Sequence, residues 1–456
     1  MHPPAGLRVS NTEQFGECLF AERAFAAGDI VLKEKPLIHW HFSDFDDIQG
    51  YFTAYLEADE EVQHEIDQFY CPPIDQEEIS SPLQQRRKQL AESLHTSGQY
   101  QNVLNIEKMY KLLLIADANA HVYCGHNQSS NDAASTAALF KFGAKVSHSC
   151  LPNLYYTSKV TGELMYIATK PIAPDQMLSF SYIKCFELSR QQRLEQLHDE
   201  KYFHCLCSRC TSEYRDSDGV YCAYVSADDS DCDGIIYETS VTGAWKCRNC
   251  NRQFSADTDE YLPEILKEVS NIQHLVELWR GSSVVRNVDI CELWELQESI
   301  QEYLPQSHAL LIQLLLYIAS VCRTYYHSLI GSGVTVTTPK QMYQDLIHTN
   351  MTLVELKCRE IESVMRALEG IELIITSDST SSPCAAVDYS NLVLWLCIDI
   401  IDLLQNQELN DSIHLAFLTQ SIFTLDTRYY HGLVLTYGVD DADVRRIRHY
   451  LDKTHA

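Results

Sequence analysis

At 456 residues, with 45% hydrophobic and 21% charged positions, the chain has an ordinary globular composition. This excludes wholesale disorder, and the length predicts two or three domains rather than one core. Its 35 lysines and arginines stand against 63 acidic residues, a net charge of -28. That balance disfavours tracking a phosphate backbone and suits attraction of basic segments, although an acidic surface that aids solubility has the same signature. There are 17 cysteines, an odd number, and Met1-His2-Pro3-Pro4 opens no cationic and apolar leader. The cysteines therefore read as intracellular thiols and metal ligands, in the cytoplasm, the nucleus or both, and not as a disulfide framework.

From Phe15 to Ile38 short apolar runs flank Ala27-Gly28-Asp29, which predicts two strands joined through that turn. Asp44 to Leu114 changes to helical spacing in Tyr51, Tyr55 and Leu56 and again in Met109, Leu112 and Leu113, with a break at Cys71-Pro72-Pro73 and a start signal at Ser80-Ser81-Pro82. Ala116 to Val122 returns to a strand pattern, Gln128 to Asn131 reads as a loop, and Ala133 to Ala144 as a helix of small residues. Leu154 to Tyr156 and Leu164 to Ala168 flank Thr161-Gly162 as a hairpin, and Pro171 to Tyr182 adds a strand after a Pro174-Asp175 turn.

From Tyr261 onward the spacing is helical: Ile265, Val269, Ile272 and Leu275, then Leu310 to Val321, Leu353 to Ile374 and Leu392 to Leu404. Gly331-Ser332-Gly333, Thr337-Thr338-Pro339 and Ser377 to Pro383 separate them. The apolar runs Ala309 to Cys322 and Leu392 to Leu404 are too short or too charged for a bilayer and read as buried helices. No strict repeat period is visible. His64, Cys71 and Tyr429-Tyr430 read as packing or surface positions.

The most informative spacing belongs to cysteine. Cys150, within Val146 to Asn153, and Cys205, Cys207 and Cys210, at C-x-C-x-x-C spacing, supply the four thiolates of a closed tetrahedral zinc site. Structural zinc is worth roughly 10 to 16 kcal/mol in small modules, so loss of any one of the four is predicted to unfold that region. A second set comprises Cys222, Cys232, Cys247 and Cys250, the last two in Trp245-Lys246-Cys247-Arg248-Asn249-Cys250. A C-x-x-C knuckle after tryptophan predicts a zinc-ribbon half-site, but its partner half is stretched around Asp228, Asp229, Asp231 and Asp233, and a loop of reduced thiols stays open.

His148-Ser149-Cys150 with Pro152-Asn153, then Ser181-Tyr182-Ile183, then Phe203 with Cys205, Cys207 and Cys210, occur in one order. In that order they resemble the SET-domain protein lysine methyltransferases, specifically the SET and MYND domain-containing (SMYD-like) family. Leu19-Phe20-Ala21 and Gly28 to Leu37 are similar to the first SET segment, and the motif-level resemblance runs to about Cys210. No MYND cysteine array lies between His39 and Cys124, and the second cysteine set is similar to that of insect-type members.

The resemblance implies an α+β chain with a split SET β-fold. Residues 1–38 would form its N-terminal part, 39–115 a helical insertion, 116–188 the core and 189–212 a post-SET zinc segment. Residues 213–256 would hold the second cluster, and 257–456 a tetratricopeptide-like all-α domain that caps the substrate cleft and binds protein partners. It implies S-adenosyl-L-methionine and Zn2+ as cofactors and a lysine-bearing protein or peptide, histone or non-histone, as substrate, with roles such as chromatin regulation. Membrane and direct nucleic-acid binding are not expected.

By the same resemblance Tyr182 is catalytic, and Phe15, Gly16, Glu17, Asn119, Ser147, His148, Tyr182 and Phe203 line the cofactor. Methyl transfer to lysine needs a neutral amine. At neutral pH that costs roughly 4 to 5 kcal/mol from a pKa of about 10.4, less after desolvation beside a sulfonium. A tyrosine hydroxyl orients the reacting groups.

Three positions depart from the family pattern. Cys18 stands where a second glycine is usual, with Glu17 in place of a basic residue beside the cofactor's carboxylate. Ser147 replaces an asparagine and offers one donor in place of an amide. Lys201 takes the place of a second tyrosine, and Tyr202, one residue on, would face the other way on a strand. Two readings stay open: a S-adenosylmethionine-dependent protein-lysine N-methyltransferase, and a catalytically inactive SET scaffold serving as a protein-binding or transcriptional regulatory module.

Overall fold

The computed structural model describes residues 3–42, 48–73, 81–98, 100, 102–123, 135–158, 163–213, 217–222, 232–239, 244–255, 261–281, 290–330, 353–376, 389–405, 412–437 and 439–454. The Gln128 to Asn131 loop, Ala133-Ala134, the Thr161-Gly162 turn, Ser80, Asp228, Asp229, Asp231 and the three separators after Gly331 lie outside the described residues. The chain divides into two compact units: Met1–Ile183 with Gln192–Cys207 and Leu435–Gly438, and Lys184–Gln191 with Ser208–Val434 and Val439–Ala456.

In the first unit β1 (Leu7–Thr12) and β2 (Gly16–Ala21) form an antiparallel hairpin. Gly16 closes it at φ +65°, a conformation that costs other residues. β2 and β3 (Ile30–Glu34) are joined through the predicted turn, where Gly28 sits at φ +91°, but they do not pair with each other. β3 instead pairs with β9 (Leu164–Ala168), and β9 with β8 (Leu154–Thr157), the predicted hairpin. Every residue of β9 is buried, so its run of apolar side chains has both faces covered.

β4 (Ile38–Phe42), β6 (Ser135–Leu139) and β5 (His121–Val122) form a second three-stranded sheet, and β7 (Ser147–His148) lies parallel to β10 (Ser179–Phe180). Leu7, Leu19, Leu32, Phe140, Leu164 and Leu178 are among the residues that fill the core of these strands.

The insertion is helical: α1 (Gln49–Glu57), α2 (Glu60–Asp67), α3 (Pro82–Thr96) and α4 (Ile106–Asn119). The Ser81-Pro82 signal is a complete capping box, with the Ser81 hydroxyl accepting the Gln84 N–H and the Gln84 side chain accepting the Ser81 N–H. Arg87 of α3 forks onto the Asp117 carboxylate of α4 at 2.8 and 2.9 Å, both side chains buried.

Two expectations are corrected here. Residues 135–139 of the expected small-residue helix are strand β6, because pairing with both β4 and β5 outweighs the helical propensity of alanine. The strand expected at Ala116 to Val122 is the last turn of α4 as far as Asn119, whose amide donates to the Ile115 carbonyl one turn back, and only His121-Val122 are strand.

In the second unit β11 (Val220–Tyr221), β12 (Ile235–Glu238), β13 (Trp245–Cys247) and β14 (Gln253–Phe254) form an antiparallel sheet in chain order. α5 (Arg190–Lys201), most of it in the first unit, and α6 (Ser208–Thr211) precede this sheet in sequence, and the described helices after it are α7 (Tyr261–Gly281), α8 (Ile290–Ile300), α9 (Ala309–Ile330), α10 (Leu353–Thr376), α11 (Ser390–Gln405), α12 (Ser412–Tyr437) and α13 (Ala442–Thr454). α9 packs against α7, α8 and α10. It is longer than expected: Ala309–Tyr326 is long and apolar enough to cross a membrane, yet 67% of that window is buried, as in a core helix.

Candidate active site and metal centres

A cleft of about 410 Å³ opens in the first unit, within the range of small-molecule sites. Phe15, Gly16, Glu17, Asn119, Ser147, His148, Tyr182 and Phe203 all line it. The β1–β2 turn brings the first three, the end of α4 brings Asn119, and β7 brings Ser147 and His148.

The β7 strand is held firmly. The Ser147 N–H donates to the Leu178 carbonyl and the Ser149 N–H to that of Phe180. Asn153, from the same motif, stitches the second segment in place, accepting the Ser179 N–H at 2.8 Å and donating to the Met177 carbonyl at 2.9 Å. Glu34 of β3 accepts the N–H groups of Phe142 and Gly143 and so fixes the turn that leads into β7.

Tyr182 donates its hydroxyl to the Val146 carbonyl at 2.7 Å. Burial pushes its pKa well above the ordinary phenol value, with the neighbouring Cys18 adding to the shift, so the group is a neutral phenol at physiological pH. Its backbone N–H donates to His148 Nδ1 at 3.0 Å, while His148 Nε2 lies 3.3 Å from Cys150 Sγ. With Nδ1 accepting, the ring proton sits on Nε2 and points at the sulfur. Burial lowers the His148 pKa to about 4; Cys207 opposes that shift and Arg193 adds to it. The neutral ring thus ties the cysteine cluster to the tyrosine backbone, and its side chain is committed there. Phe203 closes this corner, its ring 5.8 Å from His148 and 6.1 Å from Tyr182.

The positions that depart from the family pattern are explained by one another. Cys18 lies in regular strand and needs no positive φ, since that conformation falls on Gly16. The Ser147 hydroxyl donates to Cys18 Sγ at 3.1 Å, so the two replacements meet. Glu17 pairs with Lys145 Nζ at 2.5 Å, and Lys145 restores a cation to that wall of the cleft. Sequence reasoning missed Lys145, whose only signal is its place two residues before Ser147.

Asn119 lines the cleft, but its amide nitrogen donates to the carbonyls of Tyr70 and Ile115 at 2.8 Å each, so it anchors the end of α4 to Tyr70, another lining residue not foreseen. Tyr202 is turned away, as expected, but for a different reason. It is not on a strand; it takes φ +63° just after α5, packs among the insertion helices and donates to Asp117 at 3.1 Å. Lys201 and Phe203 on either side of it both face the cleft.

The two cysteine sets each gather. The ligand atoms of Cys150, Cys205, Cys207 and Cys210 lie within 4.8 Å of one another, as do those of Cys222, Cys232, Cys247 and Cys250. Sulfur–sulfur distances are 4.0 Å for Cys150–Cys205, 3.9 Å for Cys222–Cys250 and 3.7 Å for Cys232–Cys247. A disulfide requires about 2.05 Å, whereas a tetrahedron with zinc–sulfur bonds of about 2.3 Å has edges of about 3.8 Å. No described cysteine is disulfide-bonded, and the donor sets fit zinc. In the second set the N–H groups of Gly234 and Asn249 point at Cys232 and Cys247 Sγ at 3.4 Å each, as suits thiolates.

The SET domain matches residues 16–183 of this chain, the stretch that holds these short strands, the parallel β7–β10 pair and Tyr182. The chain therefore carries a SET domain of mixed strands and helices and a helical C-terminal region.

Its relatives include N-lysine methyltransferase SMYD2-A of Danio rerio, 33% identical over 103 residues, 23% of this chain and 23% of that protein. N-lysine methyltransferase SMYD2-B of the same organism is 38% identical over 80 residues, 17% of this chain and 18% of that one. The match thus spans less than a quarter of those relatives' length. Among solved structures, the crystal structure of the SET domain of LSMT bound to lysine and AdoHcy covers 83% of this chain and 88% of its own, at 8% identity and a TM-score of 0.30.

Proposed function

We propose that the protein is a SMYD-like, S-adenosylmethionine-dependent protein-lysine N-methyltransferase. The observation that carries this is a cleft that the half-buried Tyr182 lines together with Ser147, His148, Phe203 and the Phe15–Glu17 turn. The cleft suits the cofactor. Gly16 exposes backbone where a Cβ would meet nothing within 4 Å, Lys145 offers a cation for a carboxylate, and Phe15 and Phe203 offer aromatic surface. S-adenosylmethionine, when bound, supplies an electrophilic methyl group on sulfur.

The chain's own residues do the rest. Tyr182, its proton engaged by the Val146 carbonyl, keeps its oxygen lone pairs to orient the reacting groups. The rings of Tyr182, Phe203 and His148 pack together on that wall and would desolvate an amine bound there, favouring its neutral form. The net charge of -28 favours a basic, lysine-bearing segment, histone or non-histone, in the cytoplasm or nucleus, and the helical unit would bind protein partners. Zinc on Cys150, Cys205, Cys207 and Cys210 would hold the cleft wall in register and take no part in the chemistry.

The inactive-scaffold reading is favoured by one observation, the Lys201 side chain on the cleft wall. Titration calorimetry of the zinc-loaded protein with S-adenosylmethionine, followed by methylation of lysine-rich peptides, separates the two. Binding with transfer, slowed about a hundredfold in Tyr182→Phe, supports the enzyme. Binding without transfer supports the scaffold, and no binding sinks the methyltransferase reading.

A further inference from the structure

Two lysines line the cleft, Lys145 and Lys201, and they are held differently. Lys145 is ion-paired with the Glu17 carboxylate. Lys201, the last residue of α5, donates to the main-chain carbonyl of Asp117 at 2.6 Å. The Asp117 carboxylate itself is taken up by the Arg87 guanidinium and the Tyr202 hydroxyl. Lys201 is thus positioned by a neutral acceptor beside an acid whose charge is already compensated. Burial pushes its pKa down, and Asp117 and Glu200 only partly oppose that. His121, the other titratable group influenced by Lys201, is itself neutral, its pKa lowered to about 4 by burial. A half-buried lysine that can shed its proton, on the wall of a cleft it shares with the neutral Tyr182 phenol, has what a methyl acceptor needs.

We propose that Lys201 is an intramolecular methyl acceptor, so that the protein methylates itself within its own cleft. The inference rests on the methyltransferase reading. After the ammonium has lost a proton to solvent, the nitrogen lone pair attacks the methyl carbon of the sulfonium donor. The carbon–sulfur bond breaks with its electrons passing to sulfur, which becomes a neutral thioether. The new nitrogen–carbon bond leaves a methylammonium that carries the positive charge.

The test incubates the full-length, zinc-loaded protein alone with S-adenosylmethionine bearing a deuterated methyl group, with peptide mass spectrometry as readout. Label is expected on Lys201 and not on Lys145, at a rate independent of protein concentration. Lys201→Arg should lose the label while retaining zinc, and Tyr182→Phe should slow labelling. Donor binding with Lys201 unlabelled, or a rate that rises with protein concentration, overturns self-methylation; methylation of a separate peptide would then leave the methyltransferase reading standing. Failure of the donor to bind overturns both.

Discussion

The two cysteine sets have the same donors at similar sulfur–sulfur distances, yet they tie together different parts of the chain. The first joins Cys150 to Cys205 across 55 positions and, through His148, reaches the backbone of Tyr182 in the cleft. The second closes neighbouring strands of one four-stranded sheet and contributes nothing to the cleft lining. Four cysteines would thus suit a metal in both, and the chain they tie together would decide whether that metal matters to binding. Residues far apart in sequence lose more conformational freedom when clipped than residues on adjoining strands.

The sharpest way to break this contrast is to remove one ligand from each. Cys150→Ser should lose one zinc per chain by elemental analysis, unfold the post-SET region and abolish donor binding, since a structural zinc is worth roughly 10 to 16 kcal/mol. Cys247→Ser should lose the other zinc while leaving donor affinity within about twofold of wild type, as expected for sites with no shared residues. Equal loss of donor binding in both variants would contradict the division of labour.

Acid should act next most strongly, and on the cleft side. His121, bonded to the Asn119 carbonyl and the Tyr166 hydroxyl, has its pKa lowered from 6.5 to about 4 by burial. A depressed histidine lends stability that is complete above its unfolded pKa and is lost as pH falls from 6.5 through about 4, here on the order of 3 kcal/mol. His121→Leu should flatten that limb in denaturant titrations repeated across pH, whatever its effect at neutral pH.

On the ribbon side Gly234→Ala places a methyl 2.6 Å from Cys247 Sγ and 2.6 Å from Asn249 Cβ. It should cost about 1 to 3 kcal/mol by overpacking and weaken only the second zinc, as read by chelator competition. The smallest effect is expected at Ser147→Ala, about 1 kcal/mol for the lost bond to Cys18, measured as a shift in the denaturant midpoint.

Much of the molecule was legible in the residues. The C-x-C-x-x-C and C-x-x-C spacings, the β8–β9 hairpin and the Ser81-Pro82 helix start carry their signals within a few residues of where they act. The stretch over 133–144 misled, because alanine-rich segments favour helix locally and only the flanking strands β4 and β5 made 135–139 a strand. The glycine usual at Cys18 is not required there, because the turn places the positive φ at Gly16.

The two cysteine spacings and the hairpin and helix-start signals lay in the chain's local chemistry, and the choice of Tyr182 came from the resemblance; reading them needed no coordinates. That Ser147 meets Cys18 across 129 positions, that Lys145 neutralises Glu17 across 128, and that Lys201 reaches the Asp117 carbonyl across 84 were decided only by packing. Apolar burial drives the strands together without regard to which polar side chains ride on them. Hydrogen bonds and ion pairs then form between whichever polar groups the closed core leaves within about 3 Å.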